Sequence, residues 1–226
     1  MDINQMKLKA LFAALAASLL AGSAMAGPVI IDGANNSVSK GDCTFACMVR
    51  YQQAYDSSLF TGKVNISAID FRYSNNNQSW SNNNLYRLTI GIAKGGVNAL
   101  TANQSGNFLS SQSFDSKSFS GTTVAGGWYG FSGSYTYDSS LGDLLIDVTL
   151  LSGGTSSINT DYNVNSGGEF SRTYSWTGSG ATVGNNYGNI TRLNVGPAGV
   201  VPEPASLALV GVALLGLAAA SRRRKI

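Results

Sequence analysis

Apolar residues recur at every second position in several short stretches between residues 60 and 195. In residues 85–94, LYRLTIGIAK, positions 86, 88, 90 and 92 are apolar or aromatic, whereas positions 87, 89 and 91 are not. Residues 143–151, DLLIDVTLL, repeat the pattern and place Asp147 and Thr149 on the face opposite Ile146 and Val148. A period of two is typical of strands that bury one face. These stretches are therefore predicted to be β-strands.

Three further stretches extend this prediction to an all-β fold. In residues 63–73, KVNISAIDFRY, the apolar phase changes near Ser67, which predicts a β-bulge. Residues 169–176, EFSRTYSW, and 189–195, NITRLNV, predict two more strands. The clusters between the stretches are rich in Gly, Asn and Asp, which favour tight turns. The pattern predicts an antiparallel β-sandwich of jelly-roll-like type.

Two segments depart from the alternating pattern. Residues 51–60, YQQAYDSSLF, place Tyr51, Tyr55 and Leu59 four positions apart, which favours a single helical turn. Residues 74–84, SNNNQSWSNNN, contain six Asn and one Trp without any periodicity. This segment is predicted to be a long exposed loop.

The N-terminal residues have the three parts of a secretory signal. Lys7 and Lys9 precede the apolar run 10–22, and Ala24 and Ala26 supply the small residues that signal peptidase requires. We expect a signal helix in residues 1–26, with cleavage after Ala26.

The C-terminal residues predict a membrane anchor. The apolar run 205–220 would be about 24 Å long as a helix, against a hydrocarbon core of about 30 Å. Four cations follow at 222–225 and mark the cytoplasmic end. The predicted order is an exported domain at 27–195, a linker at 196–204, a transmembrane helix at 205–221 and a cytoplasmic tail at 222–226. A buried helix of a globular core is the alternative, and the terminal position and flanking charge oppose it.

The residues before this helix carry a family resemblance. Val201, Pro202, Glu203 and Pro204, followed by an apolar segment and an Arg/Lys cluster, resemble a PEP-CTERM sorting tail. The resemblance implies recognition by an exosortase, a membrane protease-transpeptidase of Gram-negative bacteria that make extracellular polysaccharide. It implies transient anchoring in the inner membrane, cutting near Val201–Pro204, and transfer to the cell surface or matrix, with the C-terminus either released or attached. The same tail is also known as an ice-binding protein C-terminal domain, a label that gives no evidence for ice binding.

The charge of the chain is concentrated at its ends. The whole sequence has a formal charge of +3, yet residues 27–201 hold nine cations and ten anions. A near-neutral domain lacks the clustered cations that bind phosphates. The sequence therefore argues against a nucleic-acid partner.

The chain has two cysteines, Cys43 and Cys47. Export would place them in an oxidising compartment, where a disulfide is the expected state. Free thiols or a metal or redox site are the alternatives, but zinc would need further ligands and the chain has no His. So short a ring would contribute roughly 2 kcal/mol.

The chemistry of the domain favours a non-catalytic role. The absence of His excludes a Ser or Cys nucleophile with a His base, although Lys-assisted variants stay open. Glu169 is the one Glu of residues 27–201, and most of the Asp residues have turn-like neighbours, so a glycosidase pair is not evident. Calcium binding by Asp138, Asp143 and Asp147 is the weaker interpretation of those residues. No cofactor or metal is expected.

The leading hypothesis is an exported surface or matrix protein that is structural or associated with polysaccharide. The first alternative is a carbohydrate-binding module, with Trp80 as the stacking ring and Asn77 and Asn83 as its hydrogen-bonding neighbours. Trp128, Tyr129 and Trp176 are further aromatic candidates, although an aromatic residue in a β-sandwich more often belongs to the core. The second alternative is a His-free enzyme that acts on polysaccharide.

Overall fold

The computed structural model describes residues 27–34, 38–81, 84–176 and 180–198. The described residues all belong to one compact unit. The predicted signal helix and transmembrane helix lie outside the described residues.

The described residues form thirteen β-strands and several 3-10 turns of three residues each. The strands are β1 Pro28–Ile31, β2 Ser39–Cys43, β3 Arg50–Tyr55, β4 Lys63–Arg72, β5 Leu85–Ala93, β6 Phe108–Lys117, β7 Trp128–Asp138, β8 Leu144–Ser152, β9 Asn159–Asn163, β10 Phe170–Ser175, β11 Thr182–Gly184, β12 Gly188–Asn189 and β13 Thr191–Pro197. The last strand ends two residues beyond the expected domain limit at 195.

These strands form three antiparallel sheets. A four-stranded sheet has the order β1-β13-β4-β7, a six-stranded sheet has the order β11-β10-β3-β8-β5-β6, and a three-stranded sheet has the order β12-β9-β2. Every pairing between these strands is antiparallel. The prediction of an all-β antiparallel fold is confirmed.

The core lies where side chains of the four-stranded and six-stranded sheets meet. Ile66, Ile69 and Phe71 of β4 belong to the same buried cluster as Leu88 and Ile90 of β5. Rings from the two sheets contact each other directly, since Tyr51 of β3 and Phe71 of β4 have centroids 6.2 Å apart. The alternation seen in the sequence thus marks the face of each sheet that packs in this cluster. The opposite face of the six-stranded sheet is buried in part by a second, smaller cluster: Ala54, Ala93, Val97, Leu100 and Leu145.

The predicted irregularity in β4 is confirmed. In the pairing with β13, Ile66 lies opposite Val195 and Ala68 lies opposite Asn194, so Ser67 is the extra residue on β4. One extra residue on a strand moves the following side chains to the other face, so Ile66 and Ile69 both reach the core.

The predicted helical turn at residues 51–59 is wrong. Residues Arg50–Tyr55 form strand β3, and only Ser57–Leu59 form a 3-10 turn. Positions four apart share a face in a strand as well as in a helix, so the spacing of Tyr51 and Tyr55 fits both structures. Pairing of β3 with β8 and β10 decides in favour of the strand.

Cys43 and Cys47 form a disulfide, with Cα atoms 5.8 Å apart. Between them, Phe45 points into the core and is 1% exposed. Its ring lies within 5.1 to 6.2 Å of six other rings, those of Phe71, Trp80, Tyr86, Phe119, Tyr129 and Phe131. The small disulfide ring therefore holds the residue at the centre of an aromatic cluster.

We expect the fold to lose stability between about pH 10 and pH 12. Burial raises the pKa of Tyr86 from 10.0 to about 12, and its hydroxyl donates to the carbonyl of Ala46 at 3.2 Å. Because the raised pKa favours the neutral phenol in the folded state, this stabilisation is complete below pH 10 and disappears as the pH rises through 12. Denaturant unfolding measured at several alkaline pH values checks this result. An unchanged unfolding free energy across that range would contradict it.

Candidate functional site

Residues 74–81 and 84 of the Asn-rich segment fold against the domain, so the prediction of a long exposed loop is wrong for this part. Trp80 is only 6% exposed, and its ring stacks on Phe119 with centroids 4.7 Å apart. The indole Nε1 donates to the hydroxyl of Tyr73 at 3.0 Å. Burying a large ring with its N–H satisfied outweighs the polar character of its sequence neighbours. Trp80 is therefore not available as a surface stacking ring.

Backbone contacts hold this segment to residues 119–127. Asn77 has a left-handed backbone conformation, with φ of 60°, and its N–H donates to the carbonyl of Thr123 at 3.0 Å. Ser79 and Thr122 form an isolated β-bridge. Asn77 thus has a turn-forming role in the structure, and Asn83 lies outside the described residues.

The folded segment borders an open cleft on the domain surface, which we call the Trp128 cleft. It holds about 860 Å³ of open space. Its lining residues come from five parts of the chain: Ile30, Lys40, Arg72, Tyr73, Ser74, Ala125, Gly126, Trp128 and Asp161. Tyr73, which accepts the indole N–H of Trp80, connects this surface to the aromatic core.

Strand alternation places Trp128 on the outer face of the four-stranded sheet. Its neighbour Tyr129 points inward and is buried, whereas Trp128 is half-buried and pairs across the sheet with Arg72. The Arg192 guanidinium lies 4.6 Å from the Trp128 ring centroid, and that of Arg72 lies 5.8 Å from it. Both contacts are cation–π interactions, which orient the ring.

Each of these two guanidiniums is also ion-paired. Arg192 donates to Oδ2 of Asp70 through Nε at 3.0 Å and Nη2 at 2.7 Å. Arg72 donates through Nε to Oδ2 of Asp161. The positive charges beside Trp128 are thus largely balanced by two carboxylates.

Among the residues that line the Trp128 cleft, Asp161 has a buried side-chain atom without a hydrogen-bond partner in the described part of the chain. Its side chain is 7% exposed, and its Oδ1 has no hydrogen-bond partner among the described residues. A buried carboxylate oxygen without a donor is costly, but this oxygen is itself enclosed, so the carboxylate acts at the cleft through its ion pair with Arg72. Lys40 on the rim forms no ion pair with a described residue.

Tyr73 adds a further donor to the cleft. Burial raises the pKa of its hydroxyl, partly offset by the hydrogen bond from Trp80. The group therefore stays protonated near neutral pH, and it can donate a hydrogen bond while it accepts one from the indole.

The three aspartates considered as calcium ligands, Asp138, Asp143 and Asp147, each bind to other groups of the domain. Asp138 accepts from the N–H of Ser140 at 3.1 Å, and Asp143 accepts from the N–H of Ser57 at 2.9 Å. Asp147 lies on the outer side of β8, but residues 94–107 cover it and it pairs with Arg50. Among the described residues, no group of three potential metal ligands is found.

The domain is all-β and disulfide-bonded, and disulfides persist in the oxidising compartments that exported proteins reach. Residues 200–225 match the model of the PEP-CTERM protein-sorting motif. The motif implies a protein that is exported, sorted by an exosortase, and associated with the membrane or cell surface. No curated protein and no solved structure matches the chain.

The sorting residues Val201–Pro204 and the signal residues Ala24 and Ala26 lie outside the described residues, and both cleavage sites stay predictions. In the described part of the chain, no helix has the length and apolar character needed to cross a membrane. The predicted helix at 205–221 lies beyond that part.

Proposed function

We propose that this protein is a non-catalytic component of the cell surface or extracellular matrix that binds polysaccharide through the Trp128 cleft. Signal peptidase releases the N-terminus in this proposal, and the exosortase processes the tail after transient residence in the inner membrane. The jelly-roll-like sandwich predicted from the sequence is the architecture that we propose for residues 27–195.

The observation that carries the proposal is the chemistry around Trp128. A sugar ring has an apolar C–H face and a rim of hydroxyls, so it fits an aromatic ring flanked by donors and acceptors. Trp128 supplies the ring, and the ion-paired side chains of Arg72 and Asp161 line the same cleft. Lys40 and the hydroxyl of Tyr73 supply donors on the same cleft.

The absence of catalysis is part of the proposal and rests on the state of the carboxylates. Asp161, which lines the cleft, and Asp70 are each ion-paired with an Arg side chain, so neither carboxylate is free to act on a bound sugar. The pKa of Glu169 is raised by burial and by the charge of Asp32, but Glu169 does not line the cleft. These features support binding without turnover.

We expect Trp128→Ala to weaken binding of the full chain to extracellular polysaccharide by about fivefold, because a lost stacking contact is worth about 1 kcal/mol. Affinity electrophoresis in gels that contain the polysaccharide measures the change. Leu109→Ala, which truncates another accessible apolar side chain, is the matched control and should bind as the parent does.

Equal affinity of the Trp128→Ala and Leu109→Ala proteins would contradict the assignment of the cleft. Incubation of the polysaccharide with the parent protein should release no new reducing ends. Their appearance would overturn the non-catalytic part of the proposal in favour of a His-free enzyme.

A further inference from the structure

Strand β10 runs from the covered interior of the domain to an uncovered surface. Its inward-facing side chains alternate along the strand, and Phe170 and Arg172 at one end are buried. Tyr174 is half-buried, and Trp176, one residue past the strand and on the same face, is 51% exposed. The inner face of the six-stranded sheet is therefore no longer covered at this end.

Four aromatic side chains lie in a row across this surface, which we call the aromatic row. The Trp176 and Tyr174 centroids are 5.8 Å apart, and those of Tyr187 and Tyr162 are 5.4 Å apart. The Arg172 guanidinium joins the two pairs, since its Cζ lies 4.7 Å from the Tyr174 centroid and 3.8 Å from that of Tyr187. The row thus continues from β10 to the three-stranded sheet without a break.

The charge within the row is neutralised internally. Arg172 is ion-paired with Asp42, and the hydroxyl of Tyr187 also interacts with Asp42. The guanidinium is stacked between two rings and the Arg172 side chain is 5% exposed, so it is not available to an anionic ligand. The surface therefore has no free cation to attract an acidic polymer.

The polar atoms that remain suit a neutral, hydroxyl-rich ligand. The hydroxyls of Tyr162 and Tyr174 and the indole N–H of Trp176 have no hydrogen-bond partner within the described ranges. Tyrosine and tryptophan combine a flat apolar face with a polar edge, and this combination matches a pyranose ring on both counts. Successive rings along a row match successive units of a chain rather than a single free sugar.

We infer that the aromatic row binds a neutral polysaccharide chain. The inference rests on the proposed function for the nature of the ligand, but the row shares no residue with the Trp128 cleft. The chain lies along Trp176, Tyr174 and Tyr187, with its C–H faces on the rings and its hydroxyls at the tyrosine and indole edges.

The test compares Trp176→Ala and Leu109→Ala in the full chain, purified in detergent. Isothermal titration with a soluble neutral β-glucan and with alginate, a polyuronate, measures affinity for both classes. We expect Trp176→Ala to weaken glucan binding about tenfold, the effect of losing one stacked ring. The Leu109→Ala protein should bind as the parent does, and both variants should keep the parent melting temperature.

Salt separates the two polymer classes. Binding of the neutral glucan should persist in about 1 M salt, where the Debye length is about 3 Å and exposed charges are screened. Binding to alginate alone, lost in that salt, would overturn the inference. A Trp176→Ala protein that binds glucan normally but sediments at a smaller mass would also overturn it, since the row would then contact a second copy of the chain.

The two proposals fail in different ways. Loss of binding in Trp128→Ala with none in Trp176→Ala leaves the proposed function standing and overturns the inference for the row. Failure of the parent protein to bind any polysaccharide overturns both. Weaker glucan binding in Trp176→Ala alone supports the row.

Discussion

Replacing Phe45 with alanine is expected to lower the free energy of unfolding by about 3 to 5 kcal/mol. The ring is 1% exposed and contacts rings from β4, β5 and β7, so its removal leaves a cavity between both large sheets. The disulfide fixes the backbone on both sides of the residue, which limits the collapse of the surrounding side chains into that cavity.

Urea unfolding followed by tryptophan fluorescence measures this change. The exposed Leu109→Ala protein is the control, and we expect its stability to lie within about 0.5 kcal/mol of the parent. Reduction of the disulfide with the ring in place should cost less, roughly 2 kcal/mol. A loss below about 1 kcal/mol for Phe45→Ala, a value ordinary for a surface site, would show that the ring is not the centre of the core.

Replacing Asp42 with alanine is expected to destabilise the fold by about 3 to 5 kcal/mol, because it leaves the buried Arg172 guanidinium without its counter-ion. The Arg172 side chain is only 5% exposed, and water cannot readily replace the lost carboxylate. The remaining oxygen contact, from Nη1 of Arg172 to Oδ1 of Asn189 at 3.2 Å, is uncharged.

The chain offers an internal control for this second variant. Lys63 and Asp138 form an ion pair at 3.5 Å in which the lysine side chain is 58% exposed. Lys63→Ala should therefore cost no more than about 1 kcal/mol. Equal losses for Asp42→Ala and Lys63→Ala in the same urea titration would contradict the role given to the buried pair.

The strands could be predicted because alternation is a local property. The phase change at Ser67 is sufficient to locate the bulge in β4, since each side of it must still bury its own apolar residues. The segment 51–60 shows the limit of the same reasoning. Its spacing of four fits two structures, and only pairing with β8 and β10 selects between them.

Trp80 could not be placed from its neighbours in sequence. The surrounding Asn and Ser residues suggest an exposed ring, yet the ring stacks on Phe119, which is distant in sequence, and its N–H donates to Tyr73, directly after the preceding strand. Polar residues beside a buried ring are tolerated when their backbone groups are paired, as for Asn77 and Thr123.

Of the residues that form the Trp128 cleft, only Trp128 itself could be predicted from the sequence. Trp128 was an aromatic candidate, but Arg72, Asp161 and Arg192 meet it through long-range strand pairing that no local motif signals. The sequence around Arg172 likewise has no feature that predicts the position of this side chain between two tyrosine rings. Such clusters follow from sheet order, which alternation alone does not specify.

The position of β13 has a consequence for when the domain can fold. This strand is the last in the chain, yet it lies between β1 and β4, and β1 pairs with no other strand of the described residues. During secretion β1 emerges early, and it stays unpaired until β13, near the end of the domain, has also crossed the membrane. The four-stranded sheet can therefore be completed only when translocation of the domain is complete. A chain truncated before Thr191 would lack β13 and would leave β1 and β4 with unpaired edges.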